Sequence, residues 1–146
     1  MNESDFPKDT TFGVIGICGA NCNLVARILK DRGFDVIGTD MSSGDDCRFK
    51  KSLEGYDIEV FYESHPEEFF EKVDYIIPPI SLPKTAEVFD IIQEKNIPVL
   101  EVSDIIDIFK VNKPVFGITG TNGKTTTTTL LKKIAYDNNI APVEHN

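Results

Sequence analysis

The chain has 146 residues, of which 15 are Lys or Arg and 24 are Asp or Glu, for a formal net charge of −9. That balance opposes nucleic acid or an anionic membrane as the principal ligand, because no local basic patch offsets it. The opening MNESDFPKDT lacks the apolar core of a signal peptide and no run of about eighteen apolar residues follows, so a soluble cytoplasmic protein is expected.

In chain order, strands are predicted over residues 12 to 17, 34 to 39, 58 to 62, 74 to 77 and 98 to 102, each short and rich in Val, Ile, Phe and Tyr. Between the first two, Leu24, Val25, Ile28 and Leu29 give residues 20 to 32 a helical apolar face. Ser64-His65-Pro66-Glu67 reads as a helix entry in which Ser64 caps and Glu67 completes a capping box. Residues 83 to 95 repeat the helical pattern through Ala86, Val88, Phe89, Ile91 and Ile92, and Ser103 is placed to cap a short helix from Asp104 to Phe109. Strands alternating with helices need long crossovers, which favours an α/β, Rossmann-like, doubly wound parallel sheet.

The first strand runs into the glycine-containing loop Gly13-Val14-Ile15-Gly16-Ile17-Cys18-Gly19-Ala20-Asn21-Cys22. Read from Gly16, the dinucleotide pattern G-x-G-x-x-G meets Cys18 and Asn21 where glycines belong, which disfavours an oxidoreductase. Asp40 ends the second strand about 20 residues on, where a carboxylate can bind a ribose hydroxyl. A plain strand-to-helix turn is the alternative reading. The three cysteines, an odd number, suggest no disulfide framework. Cys18, Cys22 and Cys47 allow a three-thiolate metal or iron–sulfur site, although no fourth ligand is evident, or are small buried residues.

Lys110-Val111-Asn112-Lys113-Pro114 is polar and ends in proline, which sets a boundary between residues 1–111 and 112–146. The first part is large enough for its own core. The second is expected to be the truncated start of a P-loop ATPase domain, with one strand around Val115, Phe116 and Ile118, one helix, and an extended segment at Ala141-Pro142-Val143. At that junction stands Gly117-Ile118-Thr119-Gly120-Thr121-Asn122-Gly123-Lys124-Thr125-Thr126. Gly120 and Gly123 let the backbone approach phosphate oxygens, and the N–H groups of the first helical turn point at them. Lys124 adds a full charge, an attraction of about 4 kcal/mol at roughly 4 Å in an effective dielectric near 20, against about 0.3–1 kcal/mol for the helix dipole. Thr125 can offer its hydroxyl to Mg²⁺. The general pattern G-x-x-x-x-G-K-[ST] is not met, because Ile118 stands where its first glycine belongs. Five threonines, Thr125 to Thr129, are a poor intrinsic choice for a helix.

The string G-T-N-G-K-T-T resembles the ATP-binding motif of the Mur ligase family, ATP-dependent amide-bond-forming enzymes that build cell-wall peptides, and of their folylpolyglutamate synthetase relatives. Residues 15 to 40 are similar to the N-terminal stretch of the alanine-adding branch, the UDP-N-acetylmuramate–alanine ligases, with their G-x-G-G-x-G loop and closing G-S-D. The resemblance implies a UDP-substrate site at Gly16, Gly19, Ala20, Asn21, Thr39 and Asp40. It implies an ATP site at Gly120, Thr121, Asn122, Gly123, Lys124, Thr125 and Thr126, with Lys124 catalytic and Thr125 on Mg²⁺ held through ATP. Pro78-Pro79-Ile80-Ser81 occupies the place of the family's serine-rich loop near the nucleotide-sugar, and an ordinary strand end is the equal alternative. Asn122 stands where the alanine-adding branch commonly has histidine, a mixture that also fits an archaeal Mur-like ligase acting on pseudomurein precursors. The implied activity joins an amino acid to the carboxylate of a UDP-linked sugar or similar substrate, with ATP and Mg²⁺, through an acyl phosphate. These 146 residues alone are not expected to complete it. A stand-alone nucleotide-sugar or phosphate-binding module without ligase activity is the alternative.

Overall fold

The computed structural model describes residues 2–109 and 117–140. The expected strand residues Val115 and Phe116, the linker at 110 to 114 and the segment Ala141-Pro142-Val143 lie outside the described residues. The chain divides into two compact units, Met1–Lys110 and Val111–Asn146.

The first unit is built on four parallel strands, β1 (Thr11–Ile15), β2 (Asp35–Asp40), β3 (Glu59–Tyr62) and β4 (Tyr75–Ile77), in the order β3-β2-β1-β4. Their side chains alternate between two apolar layers, as a sheet covered on both faces requires. Phe12, Val14 and Val36 face the layer formed with α1 (Ala20–Asp31) and α5 (Val102–Phe109), through Val25, Leu29, Val102 and Ile105. Ile15 and Ile76 face α3 (Glu67–Glu71) and α4 (Glu87–Glu94), through Phe69, Phe70, Val88 and Ile92. The sheet is therefore doubly wound.

Aromatic packing closes one end of the sheet. Phe12, Phe34 and Tyr75 lie where β1, β2 and β4 begin. Phe6 packs on them with ring centroids 5.3, 6.3 and 5.2 Å away and stacks on Phe109 at 6.0 Å. Each buried aromatic side chain contributes about 1.5–3 kcal/mol. Arg32, the C-cap of α1, pairs with Glu3 and donates to the Phe109 carbonyl at 2.8 Å, tying both ends of this segment to the same helix. The opposite end, at the carboxyl termini of the strands, carries the glycine and proline loops.

Several local expectations are corrected. The segment predicted as a strand over 98 to 102 makes a single bridge, Ile76 to Val99, and α5 begins at Val102. Ser103 lies inside α5, whose start is instead held by Asp104 accepting the Glu101 N–H at 2.8 Å. Ser64 and Glu67 form no capping box: Pro66 is the N-cap of α3 without a side-chain bond, and Glu67 pairs with Lys95 at 3.1 Å. The helix predicted over 83 to 95 starts at Glu87, after a turn from Pro83 to Ala86. A short helix, α2 (Lys50–Gly55), burying only Leu53, was not expected.

The cysteine reading is corrected as well. Cys18 and Cys47 form a disulfide, with Cα atoms 5.1 Å apart, and Cys22 is the free thiol. Spacing in the chain carries no information on which cysteines meet: Cys47 reaches Cys18 because the segment after β2 folds back over the loop after β1. In the chain-entropy account, closing a loop of 29 residues constrains the unfolded chain by about 3–4 kcal/mol.

In the second unit, residues 117 to 123 lead into α6 (Lys124–Asp137). The threonine run is helical despite its low propensity. Thr128 and Thr129 donate their hydroxyls to the Lys124 and Thr125 carbonyls at 2.8 and 2.9 Å, which satisfies side chains that would otherwise compete for the backbone.

Candidate functional site

The order β3-β2-β1-β4 places the chain's reversal of direction between β1 and β4, and ligands of open α/β sheets sit at such a switch point, outside the carboxyl ends of the strands. Here the loop after β1 meets the loop after β4. Gly16 has φ +68, a conformation that favours glycine, and a Cβ built on it would lie 3.1 Å from the Pro79 ring, a tight contact. Its N–H donates to the Thr39 carbonyl at 2.7 Å, and Gly19 N–H returns to the Gly16 carbonyl at 2.9 Å. A tight turn results.

Gly19 is the N-cap of α1 and offers no side-chain oxygen to the first helical turn. The leading N–H groups of that helix are thus left for water or an anion, and the macrodipole favours the anion. Gly19, Ala20 and Asn21 are exposed there. Asn21 lies within α1, and the loop's single positive φ falls on Gly16, so the glycines missing at Cys18 and Asn21 cost the backbone nothing.

Asp40 is occupied by the protein itself. One carboxylate oxygen accepts the Cys18 N–H at 2.9 Å, and the other accepts the Ser42 N–H at 2.9 Å and hydroxyl at 2.7 Å. Thr39 is wholly buried, with its hydroxyl donated to the Ser64 carbonyl. The same oxygen therefore accepts from His65 Nδ1 at 2.9 Å, which fixes the hydrogen on Nδ1 and leaves the lone pair on Nε2. Burial holds the His65 pKa below its ordinary value, partly opposed by the Asp40 charge. Sequence reasoning gave His65 only a place in a helix entry. Its partnership with Thr39 joins residues 26 apart and leaves no local signature.

Beside the β4 end lies a cleft of about 610 Å³ lined mainly by apolar side chains, among them Pro78, Pro79, Ile80, Phe89 and Val99. Pro79 thus belongs both to this cleft and to the wall of the Gly16 turn. An apolar cleft beside an uncapped helix N-terminus suits a ligand with a flat or apolar part joined to phosphate.

The second unit carries its own turn. Gly123, the N-cap of α6, has φ +80, and a Cβ there would meet nothing within 4 Å. Lys124 folds back so that its Nζ donates to the Gly120 carbonyl at 2.6 Å and the Thr121 carbonyl at 3.3 Å. Thr121, Asn122, Thr125 and Thr126 are exposed around the same helix start. An open glycine turn, unused helix N–H groups, a flexible cation and threonine hydroxyls form a donor set that fits a Mg²⁺–nucleotide phosphate chain. Among the described residues no cluster of three or more His, Cys, Asp or Glu side chains could hold a metal ion by itself. No helix among them is long and apolar enough to cross a membrane.

No family model matches the chain. It is 28% identical over 143 residues to a UDP-N-acetylmuramate–L-alanine ligase of Lachnoclostridium phytofermentans, covering 97% of this chain and 30% of that protein. With the ligase of the same name from Dictyoglomus turgidum it shares 33% identity over 129 residues, 88% of this chain and 27% of that protein. Among solved structures, a pseudomurein peptide ligase type C from Methanothermus fervidus is 36% identical, with a TM-score of 0.68, covering 88% of this chain and 26% of that one. The chain thus spans about 30% of the length of the curated relatives it matches. Across most of its 146 residues the chain is similar to Mur ligases.

Proposed function

We propose that this chain carries the UDP-substrate-binding and ATP-phosphate-binding parts of an ATP-dependent ligase, which joins an amino acid to the carboxylate of a UDP-linked cell-wall precursor through an acyl phosphate. Residues 1–111 form the substrate-binding domain and 112–146 the beginning of the ATP-binding domain. The chain matches about 30% of its relatives' length, and the proposal for its own residues is confined to these two binding parts. These 146 residues alone bind but do not ligate. A cytoplasmic location is part of the same proposal.

The observation that carries the reading is the Gly120–Thr125 turn, with Lys124 held over its carbonyl oxygens at the start of α6. ATP with Mg²⁺, when bound, supplies the phosphoryl group that activates the substrate carboxylate. Lys124 Nζ, now on the Gly120 carbonyl, would hold phosphate oxygens and offset their charge. Gly120, Thr121, Asn122 and Gly123 would hold the phosphates through backbone N–H groups, the Thr125 hydroxyl would serve as a Mg²⁺ ligand, and Thr126 extends the same helix start.

In the first unit, Gly16, Gly19, Ala20 and Asn21 hold the diphosphate of the UDP-linked substrate at the start of α1. Asp40 fixes that loop through Cys18 N–H, and Thr39 acts behind it by orienting His65. The match to both alanine-adding ligases and a pseudomurein peptide ligase supports a sugar-linked carboxylate as substrate without choosing between the two cell-wall chemistries.

The test is calorimetric titration of the 146-residue chain with UDP-N-acetylmuramate and with NAD. Saturable binding of the UDP-sugar and none of NAD is expected. Binding of NAD alone would overturn the reading in favour of an oxidoreductase. In the protein containing the rest of the ligase sequence, phosphate release should require both UDP-substrate and amino acid; a binding module without ligase activity releases none.

A further inference from the structure

We propose that the Cys18–Cys47 bond is a reversible thiol–disulfide switch that sets the order of the loop after β1 and, through it, affinity for the UDP-linked ligand. The ligand part rests on the nucleotide-sugar reading of that loop.

Cys18 sits between Gly16, the turn's positive-φ residue, and Gly19, the N-cap of α1. The disulfide therefore ties the middle of the loop to Cys47, which is buried in the layer that also contains Val25 and Leu29 of α1. The bond lies on the protein side of the loop. The anion-facing residues Gly19, Ala20 and Asn21 are exposed, so the cross-link fixes the cradle without filling it. Without it, the middle of the loop keeps the hydrogen bond from Cys18 N–H to Asp40 and loses its covalent anchor.

The two cysteines differ in exposure, Cys18 being half-buried and Cys47 only 5% exposed. A thiolate of a dithiol reductant attacks Cys18 Sγ, forming a mixed disulfide while Cys47 leaves as thiolate and takes up a proton. The reductant's second thiolate then displaces Cys18, which is protonated in turn. Two electrons and two protons pass to the protein, and the dithiol ends as a cyclic disulfide. Cys22 stays outside the exchange: burial, with the Asp40 charge, pushes its thiol up to about 11, so it remains protonated at neutral pH.

The test compares the chain after treatment with oxidised glutathione and after reduction by dithiothreitol. Alkylation under denaturing conditions should add one label to the oxidised and three to the reduced protein. Hydrogen exchange at residues 16–22 without ligand should be slower in the oxidised form, and UDP-N-acetylmuramate should bind at least threefold more weakly after reduction. Cys47→Ala should hold the weak state under both treatments, and Cys22→Ser should still respond. Reduction of the wild-type chain needs no substitution, so a variant that fails to fold leaves the test intact. Three labels on the oxidised protein, or equal exchange in both states, would overturn the switch. Exchange that responds to redox state while affinity is equal would overturn its control of the ligand. Exchange that responds while neither state binds UDP-sugar supports the switch on loop order and overturns the nucleotide-sugar reading instead.

Discussion

Asp40, the last residue of β2, accepts the backbone N–H of Cys18 at 2.9 Å, so one strand's carboxylate holds the loop that leaves its neighbour. The same side chain takes both donors of Ser42. Asp40→Ala leaves these part-buried donors unpaired and should cost about 1–3 kcal/mol in urea unfolding, with UDP-sugar affinity falling as the loop loosens. Hydrogen exchange at Cys18 distinguishes the two roles open to this carboxylate. Faster exchange with weaker binding fits a positioning residue; weaker binding with unchanged exchange means that Asp40 touches the ligand itself.

Gly19→Val separates binding from folding. The backbone at Gly19 has φ −79, ordinary for any residue, and the new Cβ would sit 3.2 Å from the Gly16 carbonyl oxygen, which must give by a few tenths of an ångström. The substitution adds side-chain atoms at the N-cap, beside the helix N–H groups proposed to hold the diphosphate. The expected result is an unchanged circular dichroism spectrum, a Tm within a few degrees of the parent, and at least tenfold weaker UDP-sugar binding. Gly16→Val should behave differently, losing stability by about 1–2 kcal/mol or more, because φ is +68, a backbone conformation that a β-branched residue adopts only with strain.

The strands and the helix α1 were legible because their apolar residues repeat at intervals of two or near 3.6, and burial on both faces rewards that pattern directly. Boundaries were less so. Ser64 and Ser103 carry the right side chain for a cap, yet the Ser64 hydroxyl donates to the Tyr62 carbonyl and Asp104 takes the Glu101 N–H, a competitor one residue from Ser103. Pro98 lacks a donor, and its segment makes only one bridge to β4. The phosphate turn was legible because glycine, lysine and threonine must be close in sequence to act on one phosphate chain. The Cys18–Cys47 bond and the Thr39–His65 pair were not, since each joins residues more than 20 apart through the path of the chain.

His65 gives a pH dependence with a defined sign. Its pKa in the folded protein lies below the ordinary value near 6.5, chiefly through burial, so the unfolded chain binds more protons in that window. Stability is then fully present above about pH 6.5 and falls as the pH drops through the folded-state value. His65→Gln should flatten this part of the profile of urea midpoint against pH, while carboxylates continue to act at lower pH. An unchanged slope between pH 7 and 5 would show that His65 titrates alike in both states. Nitrogen chemical shifts of the ring test the tautomer separately, with the hydrogen expected on Nδ1 in the neutral form.

Lys124 tests the ATP reading most directly. Its ammonium is exposed and bonded only to loop carbonyls among the described residues, so Lys124→Ala should leave the Tm of the 146-residue chain within about 2 °C of the parent, as surface substitutions of this kind usually do. In the protein with the rest of the ligase sequence, the same change removes a charge that matters most as phosphoryl transfer proceeds. Turnover measured by phosphate release should fall by about 10²–10³ or more, the scale for losing one preorganised group at developing charge. UDP-substrate affinity should stay within twofold, because the residues proposed for that ligand belong to the other unit. Lys124→Arg keeps the charge but not the compact ammonium, and should recover only part of the rate. Phosphate release at the parent rate in Lys124→Ala would remove the ATP site from this turn, whereas a loss of UDP-substrate binding alone would assign the lysine to the wrong ligand.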